Sequence, residues 1–219
     1  MKIKELTLLT NNLTGTKNFY SAKLCLDVLE ERTDFISFRA GATVLIFRLS
    51  AIDSPVYHIA FNIPDNKIAE ALMWCEKKKL HLLNNSPSTS IIDFPNWNAK
   101  SIYFLDSNGN VLEFIARYDL RNGTREAFCE HQLLSISEIG MVVDDVFWFA
   151  KTTNARFDIP YYEKQKPAPN FTVMGDTEGL MIVVPEKRKW FPTSIISKKF
   201  PVELIFEQGG KEFVFNSKP

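Results

Sequence analysis

Cysteine is scarce in this sequence, 3 in 219 residues, and so is histidine, also 3, while glycine stands at only 9. Cys25, Cys75 and Cys129 are odd in number, widely spaced and in no Cys-x-x-Cys pair. Neither a disulfide framework nor a thiolate zinc site is therefore encoded, and reduced, mostly buried thiols are expected. The low glycine count excludes a collagen-like chain. No apolar run approaches the roughly 18 residues that suggest a membrane span. Met1 to Thr10 carries Lys2, Lys4 and Glu5, so it lacks the apolar core of a signal peptide, and a soluble cytoplasmic protein is expected. There is no excess of either charge, since Lys plus Arg equals Asp plus Glu at 26 each. Without a basic field or a basic aromatic stripe, neither nucleic acid nor a membrane is an expected partner. Hydrolase elbows, phosphate loops, dinucleotide fingerprints and zincin helices (G-x-S-x-G, G-x-x-x-x-G-K-[ST], G-x-G-x-x-G, H-E-x-x-H) are all missing.

What the chain does contain is apolar material, 45% hydrophobic with 18 Phe, enough for a large core. Its pattern repeats. Ile3 to Thr10 reads as a strand, and Asn11 to Gly15 breaks it. A helix with Phe19, Ala22 and Leu26 on one face follows, capped by Asn12 or Thr14. A weak strand near Val28 to Arg32 precedes β-rich runs at Phe35 to Arg39 and Thr43 to Leu49. The same order restarts at Tyr57 to Ile63, with a helix opened by Pro64-Asp65 and ended by Lys77-Lys78-Lys79, a solvated helix end. Strands at Ser101 to Leu105 and Val111 to Ala116 flank the turn Asp106 to Asn110. A third copy begins at Ile136, with a helix opened by Asp144-Asp145 and strands near Phe171 to Gly175 and Gly179 to Val184. A trailing hairpin, Val202 to Phe206 and Glu212 to Phe215, turns at Gln208-Gly209-Gly210 as a curtailed fourth copy. Such repeats bury their apolar faces by pairing edge to edge into a curved sheet.

The repeated β-α-β-β-β order, with Tyr103-Phe104-Leu105-Asp106-Ser107-Asn108-Gly109-Asn110-Val111-Leu112-Glu113-Phe114, resembles the vicinal oxygen chelate superfamily of glyoxalase I, bleomycin-resistance proteins and extradiol dioxygenases. The resemblance covers residues 3 to 117 well and the third copy more loosely, through Glu138 to Asp145. It implies an α+β fold of βαβββ modules forming a cup-shaped mixed sheet. On this reading residues 1–117 hold paired modules one and two, and residues 118–135 connect them to the third module with its hairpin, 136–219. That last part forms a half-cup that packs beside the first or pairs with another subunit as a homodimer.

The resemblance also implies a divalent metal held from the first and last strands of the modules. Those positions fall on His58 and Glu113 in module two. In module one they fall on Glu5, where the family usually has His, and on Ile46, which cannot bind metal. Glu138 and Met181 occupy them in the third copy, where no site is expected. The implied ligand set is Glu5, His58 and Glu113. Alternation sends Glu113 to the face opposite Leu112 and Phe114, and His58 shares its face with Ala60 and Asn62. One imidazole and two carboxylates suit Fe, Mn, Ni or Zn and leave positions for water and a bidentate substrate.

Strand position suggests Phe38, Phe47, Arg48, Trp97 and Tyr103 as substrate-lining residues. His81 and His131 have no partner at ligand spacing and read as surface residues. Trp190-Phe191-Pro192-Thr193, after Lys187-Arg188-Lys189, offers an aromatic and cationic wall to an anionic aromatic ligand, although packing of both rings on the sheet is the stronger expectation. Two functions follow. One is a metal-dependent lyase, isomerase or ring-cleaving dioxygenase acting on a small oxygenated substrate. The other is a metal-free, ligand-sequestering protein of the bleomycin-resistance type, in which Glu5 and His58 only form hydrogen bonds.

Overall fold

In a computed structural model the described residues are 1–83 and 90–217. The first module comprises β1 (Lys2–Thr10), α1 (Leu13–Lys17), β2 (Asp27–Glu31), β3 (Phe35–Ala40) and β4 (Thr43–Leu49). Asn12 caps α1, its side chain accepting the Gly15 N–H at 2.8 Å. The helix then loosens into a π-helical turn over Asn18–Lys23. The second module holds β5 (His58–Ile63), α2 (Ile68–Lys77), β6 (His81–Leu83), β7 (Ile91–Phe94), β8 (Ala99–Leu105) and β9 (Val111–Arg117). The third is β10 (Ser135–Val143), α3 (Val146–Phe157), β11 (Thr172–Asp176) and β12 (Gly179–Pro185), followed by the hairpin β13 (Glu203–Gln208) and β14 (Lys211–Asn216).

The strand pairing differs from the expected one. One sheet runs β14-β13-β1-β4-β3-β2, and the other runs β11-β12-β10-β5-β9-β8-β6, with β7 also on β8. Module one thus pairs with the trailing hairpin, through β1 antiparallel to β13, and module two pairs with module three, through β5 antiparallel to β10. Modules one and two do not share a sheet. Alternation fixes which face of a strand is apolar but is silent on which distant edge it meets, so this choice was not encoded locally. The third copy and its hairpin, expected as one unit, are divided between the two sheets.

The two sheets share one core. Leu6 and Leu8 of β1, Leu45 and Phe47 of β4, Ile59 and Phe61 of β5, Leu112 and Phe114 of β9, Ile139 and Met141 of β10 and Phe206 of β13 all belong to it. α3 joins the sheets at one end, with Phe157 5.6 Å from Phe206 and 6.0 Å from Phe215, ring centre to ring centre. At the other end the Asp106 carboxylate accepts from the backbone N–H groups of Asn108 and Asn110, from Asn110 Nδ2 and from the Tyr20 hydroxyl. That buried network bolts the β8–β9 turn of module two to the π turn of module one. Gly109 supplies the positive φ, +84°, that the turn requires.

The opposite face of the second sheet carries a separate apolar cluster, including Tyr103, Val111, Tyr162, Leu180, Ile182 and Trp190. Strict alternation builds this division. β9 sends Leu112, Phe114 and Ala116 to the shared core, and so turns Glu113, Ile115 and Arg117 to the cup. β5 likewise turns His58, Ala60 and Asn62 to it, and β10 turns Glu138 and Gly140.

Candidate metal centre

Ala60 registers with Glu113 across the parallel β5–β9 pair and with Glu138 across the antiparallel β5–β10 pair. His58 lies two residues before Ala60 on the same face, so three adjacent strands deliver His58, Glu113 and Glu138 to one point. One ligand atom from each lies within 4.8 Å of the others, and all three residues are buried. His58 Nε2 is 3.6 Å from Glu113 Oε2 and 3.6 Å from Glu138 Oε2. These separations are longer than hydrogen bonds. On the other side of the ring, His58 Nδ1 is 3.1 Å from the Val111 carbonyl oxygen. A carbonyl only accepts, so Nδ1 carries a proton, and Nε2, which offers a lone pair whenever the ring is neutral, faces the carboxylates.

The electrostatics are those of a crowded acidic pair with one cation. Arg117, fully buried, donates from Nη2 to Glu138 Oε1 in a short ion pair and from Nε to Asn62 Oδ1 at 3.2 Å. Burial raises the Glu138 pKa, but Arg117 and His58 outweigh it, so Glu138 is held below the usual carboxylate range. Glu113 lacks such a partner. Burial, and then the charge of Glu138, push it up to about 7. Burial lowers His58, but Glu138 and Glu113 reverse this and its pKa is raised. Among the described residues Glu113 Oε2 has no hydrogen-bond partner although it is buried, and Arg117 Nη1 has none either. An orphaned carboxylate oxygen facing an imidazole lone pair and a second carboxylate fits a divalent cation.

A cavity of about 220 Å³ opens on this cluster. Besides the three donors, Phe94, Trp97, Tyr103, Trp190 and Phe191 form its aromatic wall and Arg188 and Gln165 its polar one. Trp190 lies 5.5 Å from His58, and Phe191 lies 5.7 Å from Tyr103, between ring centres. Gly140 makes room for this wall, because a Cβ there would sit 2.5 Å from Trp190 Cη2. The expectation that Trp190 packs on the sheet and the reading of its segment as a ligand wall therefore both describe the same ring.

Of the residues the sequence singled out, the structure brings together His58, Glu113, Trp97 and Tyr103. It leaves out Glu5, which lies on β1 in the other sheet, opposite Ile205 and Val44. Phe38 and Phe47 are also elsewhere, buried in the shared core with ring centres 5.4 and 4.9 Å from Tyr20. Arg48 is an exposed residue stacked over Phe35. β4 is apolar at successive positions, Val44-Leu45-Ile46-Phe47, so alternation gives it no inward side, and strand position alone does not distinguish Phe47 from Arg48. Glu138 takes the place expected of Glu5. The signal for it was a carboxylate inside the largely apolar stretch Ile136 to Val143, two residues before a strand glycine. Arg117, four residues after Glu113 on the same face of β9, was missed outright, as were Phe94 and Gln165.

No protein-family model matches the chain, and no curated protein matches it in sequence. Solved structures do. A "putative dioxygenase" from Bacillus subtilis superposes with a TM-score of 0.61 at 14% identity, covering 84% of this chain and 63% of its own. The chain thus spans less than two thirds of that protein's length. A glyoxalase/bleomycin resistance protein/dioxygenase from Alicyclobacillus acidocaldarius aligns with 55% of this chain and 94% of its own at 18% identity and a TM-score of 0.44. A lactoylglutathione lyase from Agrobacterium tumefaciens aligns with 51% and 90% at 19% identity and 0.43. The first likeness shows the fold, that of the glyoxalase/bleomycin resistance/dioxygenase proteins, in agreement with the resemblance read from the sequence.

Proposed function

We propose that this chain, built on the vicinal oxygen chelate fold, is a divalent-metal-dependent enzyme acting on a small oxygenated substrate, a lyase, an isomerase or a ring-cleaving dioxygenase. The observation that carries the reading is the convergence of His58, Glu113 and Glu138 from three neighbouring strands, with Glu113 Oε2 buried and unpartnered. His58 Nε2 and one oxygen of each glutamate would hold the ion. When bound, such an ion supplies a Lewis acid that polarises a coordinated oxygen.

The chain's own residues do the rest. The Val111 carbonyl fixes the His58 tautomer, and Arg117 keeps Glu138 ionised and aimed. The rings of Trp97, Tyr103, Trp190 and Phe191 orient an apolar body and shield the centre from water. In the metal-free protein burial and the Glu138 charge push Glu113 up to about 7, so near neutral pH its carboxyl gives up a proton when an ion is taken up. The metal-free sequestering reading draws on one observation, that Arg117 already neutralises Glu138 without an ion.

Equilibrium dialysis against Fe(II), Mn(II), Ni(II) and Zn(II), then assays for ring cleavage and glutathione-adduct isomerisation with and without chelator, decides between the two. One tight site per chain and chelator-sensitive turnover support the enzyme. Ligand binding indifferent to chelator, with no retained metal, supports sequestration.

A further inference from the structure

We infer that the cavity selects a small aromatic or conjugated acid, with Arg188 as the anchor for its carboxylate and the Trp190–Phe191 wall as the seat of its planar body. This deepens the reading of the same cavity as a substrate site by naming the charge and shape it admits.

Among the described residues Arg188 is the one arginine or lysine lining the cavity, and no described carboxylate pairs with it. Among the described residues its only side-chain hydrogen bond runs from Nη1 to the Lys189 carbonyl at 3.3 Å. Four of the five guanidinium N–H donors are thus left for something else. The side chain is half-buried, and its Cζ lies 4.8 Å over the Phe171 ring, which fixes the plane of the fork. Burial lowers its pKa, a desolvation cost that no protein carboxylate offsets.

The position is built rather than incidental. The strap after β12 folds back on itself, with the Lys187 N–H on the Ser197 carbonyl, the Ser197 N–H on the Arg188 carbonyl and the Trp190 N–H on the Ile195 carbonyl. Buried Ser197 also accepts the Arg188 N–H at its hydroxyl, 3.0 Å away. The backbone of Arg188 is therefore locked two residues from Trp190, and cation and ring face the same space.

The rest of the cavity sets the class. A planar fork matches a carboxylate bidentately, and a single cation balances a single negative charge. The walls, Phe94, Trp97, Tyr103, Phe171, Trp190 and Phe191, favour a flat apolar body. About 220 Å³ is small, below the roughly 300 Å³ at which pockets for drug-sized ligands begin. It fits one ring and its substituents. Glu113 and Glu138 line the same cavity, so an anion is held off their part of it and directed to Arg188.

The test uses benzoate and its neutral isostere benzamide, titrated into the full chain with chelator and again after Mn(II) loading, and read by tryptophan fluorescence and calorimetry. Benzoate is expected to bind the chelator-treated protein at least tenfold more tightly than benzamide. Arg188→Met removes that preference, and Arg188→Lys retains part of it, with far-ultraviolet circular dichroism unchanged in both. Equal binding of the two probes, no benzoate binding at 10 mM on the order of the weakest useful subsites, or a preference untouched by Arg188→Met overturns the inference. A preference that appears only with Mn(II) and survives Arg188→Met also overturns it, by making the metal the anion site. A charge preference in chelator-treated protein that never takes up metal keeps the inference while sinking the metalloenzyme.

Discussion

At the residue scale the centre is decided by which carboxylate has a cation. Glu138 has Arg117, and Glu113 has none, so two like groups within one cluster take different protonation states near neutral pH. Two outcomes follow. Removing the cation by Arg117→Met leaves a buried, uncompensated acid, and an expected loss of about 3 to 5 kcal/mol in denaturant unfolding of metal-free protein. Added Mn(II) recovers part of it, because the ion takes over the neutralisation. For pH, metal binding needs Glu113 ionised and His58 Nε2 free of its proton, so apparent affinity falls by about tenfold per unit or more below pH 7 and less steeply above it. In metal-free protein the sign is opposite. A folded pKa of about 7 above an unfolded value near 4.5 means that the Glu113 contribution is fully present below 4.5 and is lost as pH rises through 7. Dialysis and unfolding at pH 5, 6, 7 and 8 check both.

At the element scale, strand alternation does most of the positioning. β5, β9 and β10 put large apolar residues on the core side and His58, Glu113 and Glu138 on the cup side, so no loop is needed to bring these three groups together. That much could be read in the sequence: His58 and Glu113 were legible because their neighbours alternate cleanly and the Asp106 to Asn110 turn fixes the register. β6 and β7, three and four residues long, were too short to give a period. Phe47 was not legible as a core residue because β4 is apolar on both faces, and Phe38 of β3 faces the same core beside Tyr20. Gly140 is the element-scale test. Gly140→Ala puts a methyl 2.5 Å from Trp190 Cη2. The expected result is a displaced Trp190, seen as a changed near-ultraviolet tryptophan signal, with a stability loss of about 1 to 3 kcal/mol. An unchanged signal would mean that the wall is not seated on β10. Tyr20→Phe removes one of the four donors to buried Asp106 and is expected to cost about 1 to 3 kcal/mol.

For the whole molecule, the lesson is in the long-range pairing. The modules could be counted from their strand and helix pattern, but the partner of β5 lies 77 residues downstream of His58, at Ser135, where β10 begins. No local period specifies that contact. It was the pairing of β5 with β10 that placed Glu138, rather than Glu5, beside His58 and Glu113, and the pairing of β1 with β13 that left Glu5 opposite Ile205. Because both sheets share one core, thermal unfolding followed by tryptophan fluorescence and by far-ultraviolet circular dichroism is expected to give one coincident transition, raised by a bound ion. Two separated transitions would contradict a shared core.

The central claim is the identity of the third ligand, and elemental metal analysis tests it most directly. Parent protein, Glu5→Gln, Glu138→Gln and His58→Ala are each exposed to Fe(II), Mn(II), Ni(II) and Zn(II) and stripped of loose metal. The account predicts near-stoichiometric metal in the parent and in Glu5→Gln, and its loss in Glu138→Gln and His58→Ala. Metal lost from Glu5→Gln but kept in Glu138→Gln, or no metal retained by the parent, would contradict it.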